Sequence, residues 1–332
     1  MAKFYFKEMV EILSYGDSLT TGNYKIHSRF SSAVNFMSDN SIISVVNKGV
    51  GSGPVNIVVD GIELKTIQSL IIDDAGFVLN NSRFEFNLSK QYNSKIRLNK
   101  INKDKFEVNL DFFERCLFEL SSPMSLAFLL EERRKENFKT SFEKELVKRF
   151  ELGVAKIFSA NPIEGIKKIK GAGFGLTPSG DDFICGFLIA LNIAKKLLKL
   201  KNFPKVFRLT QYLIFEDIKR QNFAFIFKEP SGGFFFSRLI DETYNAAKGK
   251  NSISNAFLLC AKEGRLFERF KKLVYSIFHN GEQEIFECTK GLLSVGETSG
   301  ADMAVGLVVG LTGCNYSAKL RVKPTRKNSP QK

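Results

Sequence analysis

Apolar side chains follow two different periods along this chain. Between residues 41 and 110 they come in short runs: SIISVVNKG, PVNIVVDG, SLIIDDAGFVLN, RFEFNLS and FEVNL. Gly, Asn and Asp punctuate the runs at hairpin-like intervals, and RFEFNL alternates apolar with polar as a half-buried antiparallel strand does. From about residue 111 the period lengthens. FFERCLFELSSPMSLAFLLEERRK, SFEKELVKRFELGVAKIF, FICGFLIALNIAKKLLKL and GRLFERFKKLVYSIF repeat apolar residues every three or four positions, the mark of amphipathic helices. The expected class is α+β. A β-rich antiparallel N-terminal domain spans 1–110, a mainly helical domain spans 111–316, and a disordered basic tail covers 317–332.

Two of the helical runs open alike. Residues 179–186 read SGDDFICG and residues 299–306 read SGADMAVG, so Ser-Gly-x-Asp-(Phe/Met)-x-x-Gly occurs twice, 120 residues apart. One structural reading is a capping box, with Ser179 or Ser299 as cap and Asp182 or Asp302 reaching back. A second register places Thr177 as cap and Pro178 in the first helical position. In both, Gly186 and Gly306 share a helix face with their aspartates, where two helices can cross closely. Capping does not account for Gly171, Gly173 and Gly175, which lead into the first octet at a high cost in ordering entropy. A flexible glycine lead-in before a helix N-terminus suits close approach to an anion such as phosphate or carboxylate.

The candidate binding residues are therefore Gly173, Gly175, Thr177, Ser179 and Gly180 from the first block, and Thr298, Ser299 and Gly300 from the second. A third glycine loop, Lys48-Gly49-Val50-Gly51-Ser52-Gly53-Pro54, lies between two expected strands. It is either a hairpin turn or the opposite wall of the same pocket, and in the second case Lys48, Gly51 and Gly53 join the site. Asp181, Asp182 and Asp302 are the catalytic candidates. Beside an anion they would repel it unless they bind a cation, hold an NH₂ group or serve as caps; Mg²⁺ is the possible cofactor.

Other chemistries are excluded by pattern. No Lys-Ser/Thr follows the glycines as in a P-loop, and PIEGIKKIK before them is helical, unlike a dinucleotide-binding turn. There is no GxSxG, HExxH or Cys–His spacing. His27 has no evident role, His279 suits a helix C-terminus, and Cys185 is expected to be a buried thiol.

Composition changes little. The 332 residues carry a formal charge of +14. Six of the positive side chains fall between Lys319 and Lys332, and elsewhere Lys is interleaved with Glu and Asp, so no nucleic-acid partner is expected. The longest apolar runs are too short for a membrane span. MAKFYFKEMVEILSYGD does not read as a signal peptide, and five scattered cysteines fit reduced thiols, so a cytoplasmic location is expected.

GAGFGLTPSGDDFICG and VGETSGADMAVGLVVGL closely resemble the two signature blocks of the AllH family, and RFSSAVNFMSDNSIISVVNKGVGSGPVNIVV resembles its opening segment. Glu297 stands where relatives commonly have histidine. The resemblance implies one subunit of an oxamate carbamoyltransferase in allantoin breakdown, working with two companion subunits. Such a complex passes a carbamoyl group from oxalurate to phosphate, giving oxamate and carbamoyl phosphate. The alternative is a non-catalytic scaffold or small-anion-sensing subunit, consistent with so few histidines and no evident nucleophile.

Overall fold

Compact apolar runs in residues 33–60, buried on both faces at their centres, build three adjacent strands: β3 (Ala33–Ser38), β4 (Ser41–Asn47) and β5 (Asn56–Asp60). Val34, Phe36, Ile43, Val45, Ile57 and Val59 point to one side and join a single apolar core. Asn35, Ser44 and Val46 point to the other. This computed structural model describes residues 10–39, 41–98, 101, 103–159, 161–173, 175–197 and 232–312. The expected tail, 317–332, lies outside the described residues.

The remaining strands are β1 (Glu11–Gly16), β2 (Gly22–Arg29), β6 (Leu70–Ile72), β7 (Gly76–Leu79), β8 (Ser82–Glu85) and β9 (Gln91–Tyr92). They complete a nine-stranded sheet in the order β8-β7-β6-β2-β3-β4-β5-β1-β9. All pairs are antiparallel except β4 with β5 and β1 with β9. The sheet curls onto its own core. Tyr15 of β1 and Phe77 of β7, near opposite ends of the strand order, bring their rings to 6.3 Å.

Nine helices follow among the described residues: α1 (Lys103–Leu120), α2 (Ser141–Ile157), α3 (Pro162–Ile169), α4 (Ser179–Leu197), α5 (Gly232–Ala247), α6 (Ser252–Lys262), α7 (Glu268–His279), α8 (Glu282–Leu293) and α9 (Ser299–Thr312). The molecule is α+β, a strand-built N-terminal part followed by helices. One expected strand is corrected: FEVNL at 106–110 is the first half of α1. Phe106, Leu110, Phe113 and Leu117 are all buried on one helical stripe, and this spacing outweighs the β-favouring Phe and Val.

Helices α4 and α9 form the centre of the second part, buried along almost their full lengths. Their glycines permit the crossing. A side chain at Gly186 would overlap the carbonyl oxygen of Met303, and one at Gly306 would overlap that of Phe183. The contact is reciprocal, so the two octets meet about a pseudo-twofold axis. Each octet also follows a helix and a loop, α3 before α4 and α8 before α9.

Polar links join sheet and helices. Asp17 pairs with Arg265 at 2.9 Å and accepts from the hydroxyl and amide of Ser94. The third glycine loop docks on the start of α7: Ser52 N–H donates to the Glu268 carboxylate at 3.0 Å, and Glu268 N–H donates to the Ser52 carbonyl at 2.8 Å. Arg269 reaches both the Gly49 carbonyl and the Ser294 hydroxyl.

Candidate functional site

The sheet face carrying Asn35, Ser44 and Val46 does not close onto the helices. Between them lies a cavity of about 610 Å³, and the opening residues of both α4 and α9 line it. Gly175, Thr177, Ser179 and Asp182 come from the first block, and Thr298 and Ser299 from the second. The Thr177 and Ser299 hydroxyl oxygens stand 3.4 Å apart, across 122 positions of sequence.

Neither expected capping register forms. The first α4 bond runs from Asp182 N–H to the Pro178 carbonyl at 3.1 Å, and the first α9 bond from Asp302 N–H to the Thr298 carbonyl at 2.8 Å. Both aspartates thus sit one residue beyond a capping-box position, which turns their side chains inward. Thr177, rather than capping the helix, donates its hydroxyl to Asp182 Oδ2 at 3.1 Å. The Ser299 hydroxyl lies beside the same carboxyl. Asp302 mirrors this with Ser179 and Thr298 beside it, and its Oδ1 accepts the Leu126 amide at 2.7 Å. Asp302 Oδ2 is buried without a hydrogen-bond partner.

Burial and each other's charge set the protonation of this pair. Desolvation pushes the Asp182 carboxyl well above the ordinary carboxylate range, and Asp302 beside it adds to the rise. Burial raises Asp302 to about 7, against the lowering effect of the Leu126 amide. Carboxyls held neutral do not repel an anion, and they can donate a hydrogen bond.

A pH dependence follows. An unfolded Asp releases its proton near pH 4, whereas folded Asp302 holds it to about pH 7. Folded Asp302 binds more proton than its unfolded counterpart across that interval, so its own contribution to stability is greatest at the acid end and is lost as pH rises through 7. Thermal melts between pH 4 and 8 should show that decline, and Asp302→Asn should make it shallower while Asp182 sustains the rest. An unchanged slope in the variant contradicts the assignment.

The other expected site residues fall elsewhere. Asp181 Oδ1 accepts the Gly171 amide at 2.7 Å, tying down the glycine lead-in, and Asp181 does not line the cavity. Gly173 has φ +108 and packs directly on Ser179, which explains its glycine. The Gly180 amide donates to the Ala172 carbonyl at 2.8 Å and the Gly300 amide to that of Val295 at 3.0 Å. Both amides close their own loops instead of being offered to a guest. The groups facing the cavity are consequently side chains, hydroxyls and a carboxyl.

Lys48 pairs with Asp60 at the surface and does not reach the cavity. Gly51 and Gly53 shape the loop, whose Val50, Pro54 and Val55 form part of the lining. The pocket-wall reading of this loop thus holds for those three neighbours rather than for the named glycines. Among the described residues no group of three or more His, Cys, Asp or Glu side chains that could hold a metal ion is present.

Some lining residues carried no usable sequence signal. Arg265 lines the cavity, held by Asp17 and by Glu263 at 2.8 Å, and nothing in GRLFERF marks it. Glu297 and Gly296 also line it. Cys185 and Cys260 do too, but burial raises both thiols, Cys260 to about 12, so neither supplies a thiolate. His27, on β2, and His279, ending α7, are absent from the lining.

Residues 169–311 match the AllH family, described as oxamate carbamoyltransferase subunit AllH. The matched AllH segment begins at the end of α3 and runs to the last turn of α9, so it contains both octets and every helical residue of the convergence except Leu126. The sheet that forms the other cavity wall lies outside it. No curated protein and no solved structure matches the chain. Among the described residues no helix is long and apolar enough to cross a membrane.

Proposed function

We propose that this chain is a subunit of a carbamoyltransferase complex and that the cavity between sheet and helices holds the carbamoyl compound. The observation that carries the reading is the meeting of Asp182 and Ser299, from two separated copies of the same octet, with Thr177, which precedes the first copy, at one cavity. The AllH match supplies the reaction class. Transfer from oxalurate to phosphate, giving oxamate and carbamoyl phosphate, is the specific form proposed, with companion subunits completing the complex.

The chemistry suits these groups. A phosphate oxygen bonds to the carbamoyl carbon, the carbon–nitrogen bond breaks, and oxamate nitrogen leaves with a proton. A carboxyl kept neutral by burial is a proton source at the pH where it works. The Ser299 hydroxyl can donate to the carbamoyl oxygen, the Thr177 hydroxyl, whose own proton goes to Asp182, can accept from the carbamoyl NH₂, and two helix N-termini favour the charge that develops on the oxygen. No covalent nucleophile is required, in keeping with the protonated thiols.

One observation favours a binding role without chemistry. Arg265, the cation in the cavity lining among the described residues, is already tied to Asp17 and Glu263. Reconstitution with the companion subunits separates the two. Ser299→Ala should lower carbamoyl phosphate formation about 100-fold with an unchanged melting temperature. Full activity in that variant would leave the binding role and remove the catalytic one.

A further inference from the structure

Volume alone does not identify the guest of this cavity: oxalurate and phosphate together have about 14 non-hydrogen atoms and, at the ~30 Å³ each that a water takes in the liquid, fill about two thirds of 610 Å³. The character of the lining does more. The walls carry Val46, Val55, Ile189, Ile253 and Phe270, and the polar residues sort into two sets.

One set is satisfied within the protein. Ser44 donates to Asn35 at 2.7 Å, Asn35 donates to Ser28 at 3.0 Å, and Asn56 donates to the Gly51 carbonyl at 3.1 Å. Arg265 belongs to the same set, tied to Asp17 and Glu263. The other set lies at the helix openings: Thr177, Asp182 and Ser299, with Ser179, Glu297 and Thr298 beside them. The polar groups not paired within the protein therefore gather chiefly at one end, against an apolar body.

The exposed part of the lining carries large apolar residues together with Glu297. Phe30, Leu176 and Phe257 line the cavity yet remain 43, 47 and 40% exposed, so they sit where it opens to solvent. The Leu176 carbonyl accepts from Asn251 Nδ2 at 2.7 Å, which fixes that part of the rim to α6. Large apolar side chains at an opening cost hydration unless something apolar covers them. Pockets with this division, an apolar volume of several hundred Å³ and a few convergent polar groups, hold small molecules with a polar head and an apolar remainder.

We infer that the ligand of this site is a carbamoyl-bearing carboxylic acid with a sizeable apolar side chain, its carbamoyl head at Thr177, Asp182 and Ser299 and its apolar part against Ile253, Phe257 and the sheet face. The head assignment rests on the carbamoyltransferase reading, with this bulkier carbamoyl compound in the place of oxalurate; the apolar part rests on the cavity alone.

Two probes of identical head chemistry test it by calorimetry on the full chain: N-carbamoylglycine and N-carbamoylphenylalanine. Burying the added benzyl group should make the second bind at least about tenfold more tightly. Phe257→Asp, at a partly exposed rim position, should remove most of that preference. Ser299→Ala should weaken both probes alike. Equal affinity for the two, or a preference for N-carbamoylglycine, overturns the apolar inference while the carbamoyl reading stands. Binding of both unchanged by Ser299→Ala overturns the head assignment, and no binding of either overturns both.

Discussion

Replacing Gly186 by alanine should lower the melting temperature by roughly 6 °C or more. The new Cβ would overlap the Met303 carbonyl oxygen and crowd the Leu307 amide. Backbone atoms at the middle of a buried helix cannot step aside as a side-chain tip can. Helices α4 and α9 must therefore separate, or one must bend, opening voids among close-packed neighbours. The cost is about 3 kcal/mol or more, the upper end for overpacked cores. Gly306→Ala should match it because the contact with Phe183 is reciprocal. Either substitution also moves Asp182 relative to Ser299, so activity should fall with stability. Melting by circular dichroism or calorimetry checks the first effect; an unchanged midpoint would mean that the helices do not cross this closely.

Asp182→Asn should abolish most turnover without unfolding the chain. The amide retains the size of the carboxyl and can still accept the Thr177 hydroxyl, so the packing survives. It cannot release a proton. If Asp182 and Asp302 together supply the proton that leaves with the amine, the loss should be about 100- to 10,000-fold in kcat with little change in KM. The variant should melt no lower than the parent at neutral pH, because it removes a buried acid whose ionisation is disfavoured. Steady-state kinetics with the companion subunits and a melt of the same preparation decide it. Parental kcat would assign Asp182 to structure alone.

What the sequence made legible was local. The strands at 41–47, 56–60, 70–72, 76–79 and 82–85 followed from compact β-branched runs bounded by Gly, Asn and Asp. Strands β1 to β3 lacked that clarity: β1 and β2 carry register shifts, and β2 is edged by exposed polar residues. The FEVNL segment misled because five residues fit both periods, and only the further apolar positions at 113 and 117 select the helix.

At the site, the repeat of Ser-Gly-x-Asp was visible, and it is what brings Thr177 to Ser299. The use of each polar group was not. Gly180 and Gly300 amides look available in a linear sequence, but their loops fold back and consume them. Asp181 and Asp182 are chemically identical neighbours; one faces a loop amide and the other a cavity because helical geometry turns them about 100° apart. The neutral state of the acid pair depends on burial and on a partner 120 residues away. Lys48 stands beside glycines in the sequence, but Asp60 at the end of the adjacent strand pairs with it.

A crystal structure of the full chain at saturating N-carbamoylglycine tests the central claim most directly. The account predicts the carbamoyl group bound between the two helix openings, within about 3 Å of both the Thr177 and Ser299 hydroxyls. A ligand seated away from both helices, or that cavity filled with solvent alone, would contradict it.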